Sequence, residues 1–201
     1  MARQPLTFRR LTGLDRSGPP PAETLREAPW RPWTIPNAIG YIRLALVPVF
    51  LIWALDSENG TDTGPAILFA AIAWADYADG IAARLTGQYS KFGALLDPIV
   101  DRALVLAGII VVWNFETLPR WALALLALRE IVQLAYGQWA LRHGIDLKVN
   151  WWGRLGVWPT MGSLFFALVG LETLAEILLY IGIAFLIIAT ALYIREGSTS
   201  R

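Results

Sequence analysis

Four aspartates are the residues of this sequence whose type and spacing best suit chemistry. Asp76 and Asp79 are three residues apart, so they share one face of a helix. Asp97 and Asp101 are four apart and share a face in the same way. Apolar stretches flank both pairs, and a carboxylate at bilayer depth costs roughly 2.5–3.5 kcal/mol, so intramembrane acids indicate function. Four carboxylates converging from two helices would repel one another without cations, and hard divalent ions such as magnesium are their natural partners.

The composition is that of a membrane protein. The chain is 56% hydrophobic, and its mean hydropathy is +0.48. Cysteine is absent, which excludes disulfides and cysteine-ligated zinc. A formal net charge of +1 argues against nucleic acid as a partner. The first 33 residues are polar and contain no apolar run typical of a signal peptide.

Six apolar segments predict an all-α integral membrane protein with six transmembrane helices. We expect a cytoplasmic tail over residues 1–33, a six-helix domain over 34–195 and a C-terminal tail over 196–201. Within the first tail, Glu23 to Trp33 is expected either to lie along the membrane surface or to be disordered. The predicted helices lie near residues 37–55, 65–85, 93–113, 119–141, 154–170 and 173–194.

The charges of the connecting segments predict the orientation. Six arginines precede the first helix, and basic residues recur in the second and fourth connections and at the C-terminus. The first connection has no basic residue and holds Asp56, Glu58 and Asp62. By the positive-inside rule, both termini and the four aspartates face the cytoplasm of a multi-pass cell-membrane protein.

The aspartates belong to a longer motif with a recognisable pattern. The sequence reads Asp76-Tyr-Ala-Asp79-Gly80-Ile-Ala-Ala83-Arg84, then eight residues, then Gly93-Ala-Leu-Leu-Asp97-Pro-Ile-Val-Asp101. It resembles the motif of the CDP-alcohol phosphotransferase family, D-x-x-D-G-x-x-A-R followed by G-x-x-x-D-x-x-x-D. The resemblance implies six transmembrane helices, a cytoplasm-facing site, a homodimer, and displacement of CMP from a CDP-linked lipid by an alcohol.

The resemblance also implies roles for individual residues. Two magnesium or manganese ions would be held by the four aspartates, with Asp101 also acting as general base for the acceptor hydroxyl. Gly80 and Gly93 would let the nucleotide approach the backbone, and Arg84 would bind diphosphate oxygens. The predicted CDP-binding residues are Asn37, Gly80, Arg84, Ser90 and Gly93.

Three arginines within the apolar segments predict a pocket for an acidic acceptor. Arg43, Arg129 and Arg154 lie in the first, fourth and fifth segments, and buried arginines usually face polar cavities. Glycerol 3-phosphate is the expected acceptor. The alternative is that these arginines pair with acids for structure alone, Arg129 with Glu130 or Asp101, and that Arg43, Arg84 or Arg102 pairs with the aspartates.

Within the family, the sequence most resembles phosphatidylglycerophosphate synthases. The resemblance lies in Ile35-Pro36-Asn37 through Arg43, in Arg129-Glu130-Ile131 and in Val149 to Arg154. Two departures are Gly156-Val157-Trp158-Pro159, where a lysine and a threonine-rich run are usual, and Gly137, where a second arginine is frequent. Because fewer cations can mean another acceptor, a cardiolipin synthase using phosphatidylglycerol is the alternative.

The predicted function is therefore transfer of the phosphatidyl group of CDP-diacylglycerol to glycerol 3-phosphate, with release of CMP. Outside this class, a cation channel or transporter would also carry intramembrane acids, but it does not account for Gly80 or Arg84. A catalytically silent lipid-binding scaffold would not need the intact set of aspartates. A prenyltransferase also uses aspartate pairs with magnesium, at a different spacing.

Overall fold

The described part of the chain folds into six α-helices. The computed structural model describes residues 29–86, 90–142 and 151–199, excluding the side chains of residues 84, 94, 136–142, 151–155 and 189–199. No strand occurs within these ranges. The helices are α1 (Ile35–Leu55), α2 (Thr63–Thr86), α3 (Lys91–Asn114), α4 (Arg120–Arg142), α5 (Trp151–Leu168) and α6 (Glu172–Thr199).

Local sequence explains where α1 begins. Thr34 has an extended backbone, and its hydroxyl accepts a hydrogen bond from the Asn37 backbone N–H at 3.3 Å. Pro36 occupies the first turn, where its missing N–H removes no helical hydrogen bond. The helix then continues through Pro48 to Leu55.

Two helices of the described chain are long and apolar enough to cross a membrane. They are Ile35–Leu55, with a mean hydropathy of 2.0, and Thr63–Ala83, with a mean hydropathy of 1.4. The all-helical class is confirmed, while the six predicted membrane spans and their orientation stay predictions. The six helices follow the six predicted apolar segments, with α6 extending furthest beyond its predicted end.

The central helix is α3, which contacts α1, α2, α4 and α5. Its packing against α5 and α2 is close because Gly108 has no side chain. A Cβ there would lie 3.1 Å from both Leu164 and Phe69. Phe69 also packs against Phe50 of α1, with ring centroids 5.3 Å apart. The core of the molecule therefore surrounds α3 and fixes the end that holds Asp97 and Asp101.

Small residues also bring α5 and α6 together. A Cβ on Gly182 of α6 would lie 2.7 Å from the Thr160 hydroxyl of α5, which donates to the Gly156 carbonyl at 2.8 Å. Gly162 of α5 faces Leu178 of α6. This pair of helices is the most extensively packed in the molecule, and α5 places one of its faces against α2 and α3.

Candidate active site

The four motif aspartates come together between α2 and α3. Three of them contact one guanidinium, that of Arg43 on α1. Asp97 interacts electrostatically with Asp79, Asp76 and Asp101. The prediction that the two aspartate pairs face one another is therefore confirmed, and these four side chains are called the carboxylate cluster below.

Arg43 is the cation at the centre of this arrangement. Its Nη1 lies 2.9 Å from Asp76 Oδ1 and 3.0 Å from Asp79 Oδ2, and its Nη2 lies 2.7 Å from Asp101 Oδ1. Its Nε donates to the Ile72 carbonyl at 3.1 Å, which fixes the plane of the guanidinium. The side chain is 1% exposed. Three carboxylates thus contact a single positive charge, Asp97 adds a fourth carboxylate nearby, and these described side chains together have an excess of negative charge.

The chemistry of these donors fits a hard divalent cation. Carboxylate oxygens are the ligands that magnesium prefers, and an excess of negative charge favours additional cations. Among the described residues, no three acidic or histidine side chains are already arranged as a metal site. Arg43 hydrogen-bonds to one oxygen each of Asp76, Asp79 and Asp101. Two bound ions stay a prediction, and Arg43 would hold a positive charge next to them.

A cavity of about 520 Å³ opens beside the cluster. Asp76 and Asp101 line it, and their side chains are 44% and 34% exposed, whereas Asp79 is 9% exposed. The remaining wall is apolar or aromatic and comes from α2 and α5. It is formed by Phe69, Ala70, Ala73, Trp74, Tyr77, Val157, Trp158, Met161, Gly162 and Phe165. Two carboxylates at the border of an apolar cavity suit a ligand with one polar and one hydrocarbon part.

Three of the residues predicted to bind CDP contact one another. Asn37 Nδ2 donates to Ser90 Oγ at 2.9 Å, and Ser90 Oγ accepts from the Gly93 N–H at 2.9 Å, which caps α3. The Asn37 amide also donates to the carbonyls of Arg31 and Pro32. This group ties the chain before α1 to the beginning of α3. It therefore has a structural role that the sequence analysis did not anticipate.

Gly93 is required here for a reason other than nucleotide access. A Cβ at this position would collide with Asn37 Oδ1. The role of Gly93 toward the nucleotide stays a prediction, and the atom that approaches it closely in this structure is Asn37 Oδ1. Gly80 follows Asp79 on α2 and is half-buried, and Arg84 lies one turn further on with its side chain outside the described residues.

Arg43 and Arg129, two of the arginines predicted to bind an acceptor, contact different carboxylates. Arg43 contacts the aspartates, as the alternative interpretation proposed. Arg129 pairs with Glu130 of its own helix, and Arg102 Nε of α3 lies 2.8 Å from the same carboxylate. The side chain of Arg154 lies outside the described residues. The roles of Arg43, Arg129 and Arg154 toward an acceptor therefore stay predictions, and the geometry of Arg43 does not favour one.

Sequence reasoning did not identify the lining of the cavity. Tyr77 and Trp158, for example, reach it from α2 and α5, which are separated by some eighty residues of sequence. An apolar side chain in an apolar helix carries no signal that distinguishes a cavity wall from a surface facing lipid. Only the relative rotation of the helices separates the two.

Comparison with known proteins agrees with the motif. The family model of CDP-alcohol phosphatidyltransferase matches residues 33–188, which include α1 to α5 and most of α6. The chain belongs to the CDP-alcohol phosphatidyltransferase family.

Individual relatives carry two different names. The chain is 37% identical over 132 residues to the cardiolipin synthase (CMP-forming) of Streptomyces coelicolor, covering 64% of this chain and 61% of that protein. It is 30% identical over 138 residues to the CDP-diacylglycerol–glycerol-3-phosphate 3-phosphatidyltransferase of Bacillus subtilis, covering 63% of this chain and 72% of that protein. A Shigella flexneri protein of the same name is 29% identical over 167 residues, covering 80% of this chain and 88% of the relative.

As a CDP-alcohol phosphatidyltransferase, the chain has its motif within the matched region. All four aspartates and the predicted CDP-binding residues fall inside residues 33–188, and so does the group formed by Asn37, Ser90 and Gly93. The residues upstream of 33 lie outside the match, and they include most of the predicted N-terminal tail.

Proposed function

We propose that this protein transfers the phosphatidyl group of CDP-diacylglycerol to glycerol 3-phosphate and releases CMP. The observation that carries the proposal is the convergence of the four motif carboxylates at the edge of an apolar cavity. Relatives named for this reaction align with 63% and 80% of this chain. Like the site, the substrate has a charged part and an apolar part, because its anionic diphosphate linkage lies next to hydrocarbon chains.

Asp101 is the residue we assign as general base. Its carboxylate is one-third exposed and lines the cavity, so an acceptor hydroxyl can reach it. The acceptor oxygen attacks the phosphorus that bears the lipid, its proton passes to Asp101, and the bond from that phosphorus to the oxygen of CMP breaks. The configuration at phosphorus is inverted, and no covalent enzyme intermediate forms.

The carboxylate cluster would hold two magnesium or manganese ions. Asp76, Asp79, Asp97 and Asp101 are the residues that would bind them. When bound, such ions neutralise charge on the diphosphate and align the attacking and leaving oxygens. Arg84 and the backbone at Gly80 are assigned to the nucleotide end of the substrate, by their positions in the motif.

The cavity is assigned to the lipid. Its wall between α2 and α5 combines aromatic rings with small residues, which suits an acyl chain better than a polar group. Six membrane-spanning helices, cytoplasmic termini and a homodimer complete the proposal. The distribution of basic residues supports the orientation, and the family resemblance supports the dimer.

The test is an assay of the purified full-length protein with CDP-diacylglycerol, Mg²⁺ and labelled glycerol 3-phosphate. We expect labelled lipid and an equal amount of CMP. Prenyl diphosphates should not replace the lipid substrate, and liposomes containing the protein should show no cation flux. Flux without lipid product would favour the transporter alternative.

Cardiolipin synthesis is the second candidate, and two observations favour it. The Streptomyces relative is more similar in sequence, at 37% identity, than the relatives named for glycerol 3-phosphate. In addition, Arg43, Arg102 and Arg129 each contact a carboxylate. Product with phosphatidylglycerol and none with glycerol 3-phosphate would establish this candidate instead.

A further inference from the structure

Arg43 contacts three of the four carboxylates that would hold the proposed metal ions. Both of its terminal nitrogens contact the carboxylate cluster, at 2.7–3.0 Å, and its third nitrogen is held by the Ile72 carbonyl. The side chain is almost fully buried, so water does not compete for these hydrogen bonds. A buried arginine that joins α1, α2 and α3 through charge is therefore part of the site and not a neighbour of it.

A guanidinium and a divalent ion bound to the same carboxylates repel each other. Magnesium binds oxygen at about 2.0–2.1 Å, which places it close to the Arg43 guanidinium. Without a metal, however, the carboxylates need a positive charge to remain close together. Each cation would therefore weaken the binding of the other.

We propose that Arg43 is an internal counterion that holds the carboxylate cluster together and competes with divalent ions for its negative charge. Arg43 is then a positioning residue for the metal site, and it sets the concentration of metal needed to fill that site. This inference rests on the proposed function, because it takes the cluster to be a metal site. It also replaces the predicted contact of Arg43 with an acceptor phosphate.

The charge balance leads to a specific expectation for Arg43→Gln. Glutamine keeps a polar side chain of intermediate length but removes the only cation that contacts Asp76 and Asp79 among the described ion pairs. The carboxylates then repel one another, and a divalent ion no longer competes with the Arg43 charge. Arg120→Gln is the matched control, since Arg120 forms an exposed pair with Glu116 at 2.7 Å.

The experiment measures thermal unfolding of the full-length protein in detergent, with EDTA and over a Mg²⁺ titration. In EDTA we expect Arg43→Gln to unfold at a temperature several degrees lower than wild type, and we expect Asp79→Asn to restore much of that loss in the double variant. Mg²⁺ should stabilise Arg43→Gln more than wild type. Half of the effect should be reached at about one-tenth of the wild-type Mg²⁺ concentration. Arg120→Gln should follow wild type throughout.

Three outcomes would overturn the inference. An equal loss of stability in EDTA and in Mg²⁺ would make Arg43 a packing residue, and a higher Mg²⁺ requirement in Arg43→Gln would make it a partner of the metal and not a competitor. Failure of Asp79→Asn to restore stability would remove the counterion role. If Arg43→Gln alone does not fold, the double variant and Arg43→Lys take its place in the comparison.

Failure of the proposed function gives a different result. A wild-type protein that does not respond to Mg²⁺ or Mn²⁺ would count against the metal site itself. The double-variant comparison in EDTA contains no metal, so it still decides whether Arg43 is the counterion of the carboxylate cluster.

Discussion

Two clusters of charged residues meet at α3. In the described ion pairs, one has more acids than bases and the other has more bases than acids. Asp101 belongs to the carboxylate cluster, in which three of the four acids contact Arg43. The next residue, Arg102, belongs to a second group, in which Glu130 forms ion pairs with two arginines, Arg102 and Arg129. This second group is called the Glu130 cluster below. Asp101 and Arg102 are adjacent on α3. Among the described ion pairs, the first belongs to a cluster with an excess of acid and the second to a cluster with an excess of base.

The two clusters also differ in access. Asp76 and Asp101 are partly exposed and line a cavity, whereas Glu130 is 1% exposed. A buried carboxylate that is paired with arginines within the protein is costly to disturb and has no route to a substrate. A cluster with an excess of acid beside a cavity can take up external cations and ligands. The comparison teaches that the sign of the excess charge together with access, and not burial alone, distinguishes a reactive site from a structural one.

The buried Glu130 cluster predicts the largest effect on stability. Glu130→Gln removes the carboxylate that pairs with two buried or half-buried arginines in the described ion pairs, so we expect the free energy of unfolding to fall by about 3–5 kcal/mol. Glu116→Gln is the matched control, since its exposed pair with Arg120 contributes about 1 kcal/mol or less. Chemical denaturation in detergent measures both. Similar values for the two variants would show that burial does not separate the clusters.

The junction at the beginning of α3 predicts a smaller effect. Gly93→Ala places a methyl group against Asn37 Oδ1, and we expect a loss of about 1–3 kcal/mol. Asn37→Ala/Gly93→Ala removes that oxygen and should lose less than the two single variants add up to. Denaturation of the four proteins measures the coupling. Strict additivity would contradict the contact.

The cavity beside the carboxylate cluster predicts a change in substrate use with little change in stability. Met161→Trp would fill part of the cavity, so we expect the KM for CDP-diacylglycerol to rise about tenfold, equivalent to about 1.4 kcal/mol of binding. Met161→Leu keeps the volume and serves as control. Initial rates over a series of lipid concentrations measure the effect. An unchanged KM in Met161→Trp would show that the lipid binds elsewhere.

Much of this arrangement could be predicted from sequence because it depends on short-range patterns. Apolar runs predicted the helices, and three- and four-residue spacing predicted which aspartates share a face. The partner of those aspartates was harder to predict, because Arg43, Arg84 and Arg102 were all possible partners by sequence. The choice of Arg43 depends on the rotation of α1 against α2 and α3. The contact between Asn37 and Gly93 depends on the same packing and joins residues far apart in the chain.

Some predictions extend beyond what the described residues can test. The side chains of Arg84 and Arg154 lie outside them, as does most of the N-terminal tail. The pairing of Arg129 with Glu130 was one of two interpretations of adjacent residues on one helix, and sequence could not choose between them. Buried charge pairs and substrate contacts use the same residue types, and only the geometry of the partner separates them.

The central claim, that the carboxylate cluster carries out phosphatidyl transfer, is tested most directly by turnover of Asp101→Asn. CMP release and CDP-diacylglycerol binding should be measured together in wild type, in Asp101→Asn and in Asp56→Asn, which alters an exposed acid at the end of α1. The account predicts that Asp101→Asn binds the lipid but turns over about a hundredfold more slowly or worse, while Asp56→Asn matches wild type. Wild-type turnover in Asp101→Asn would contradict it.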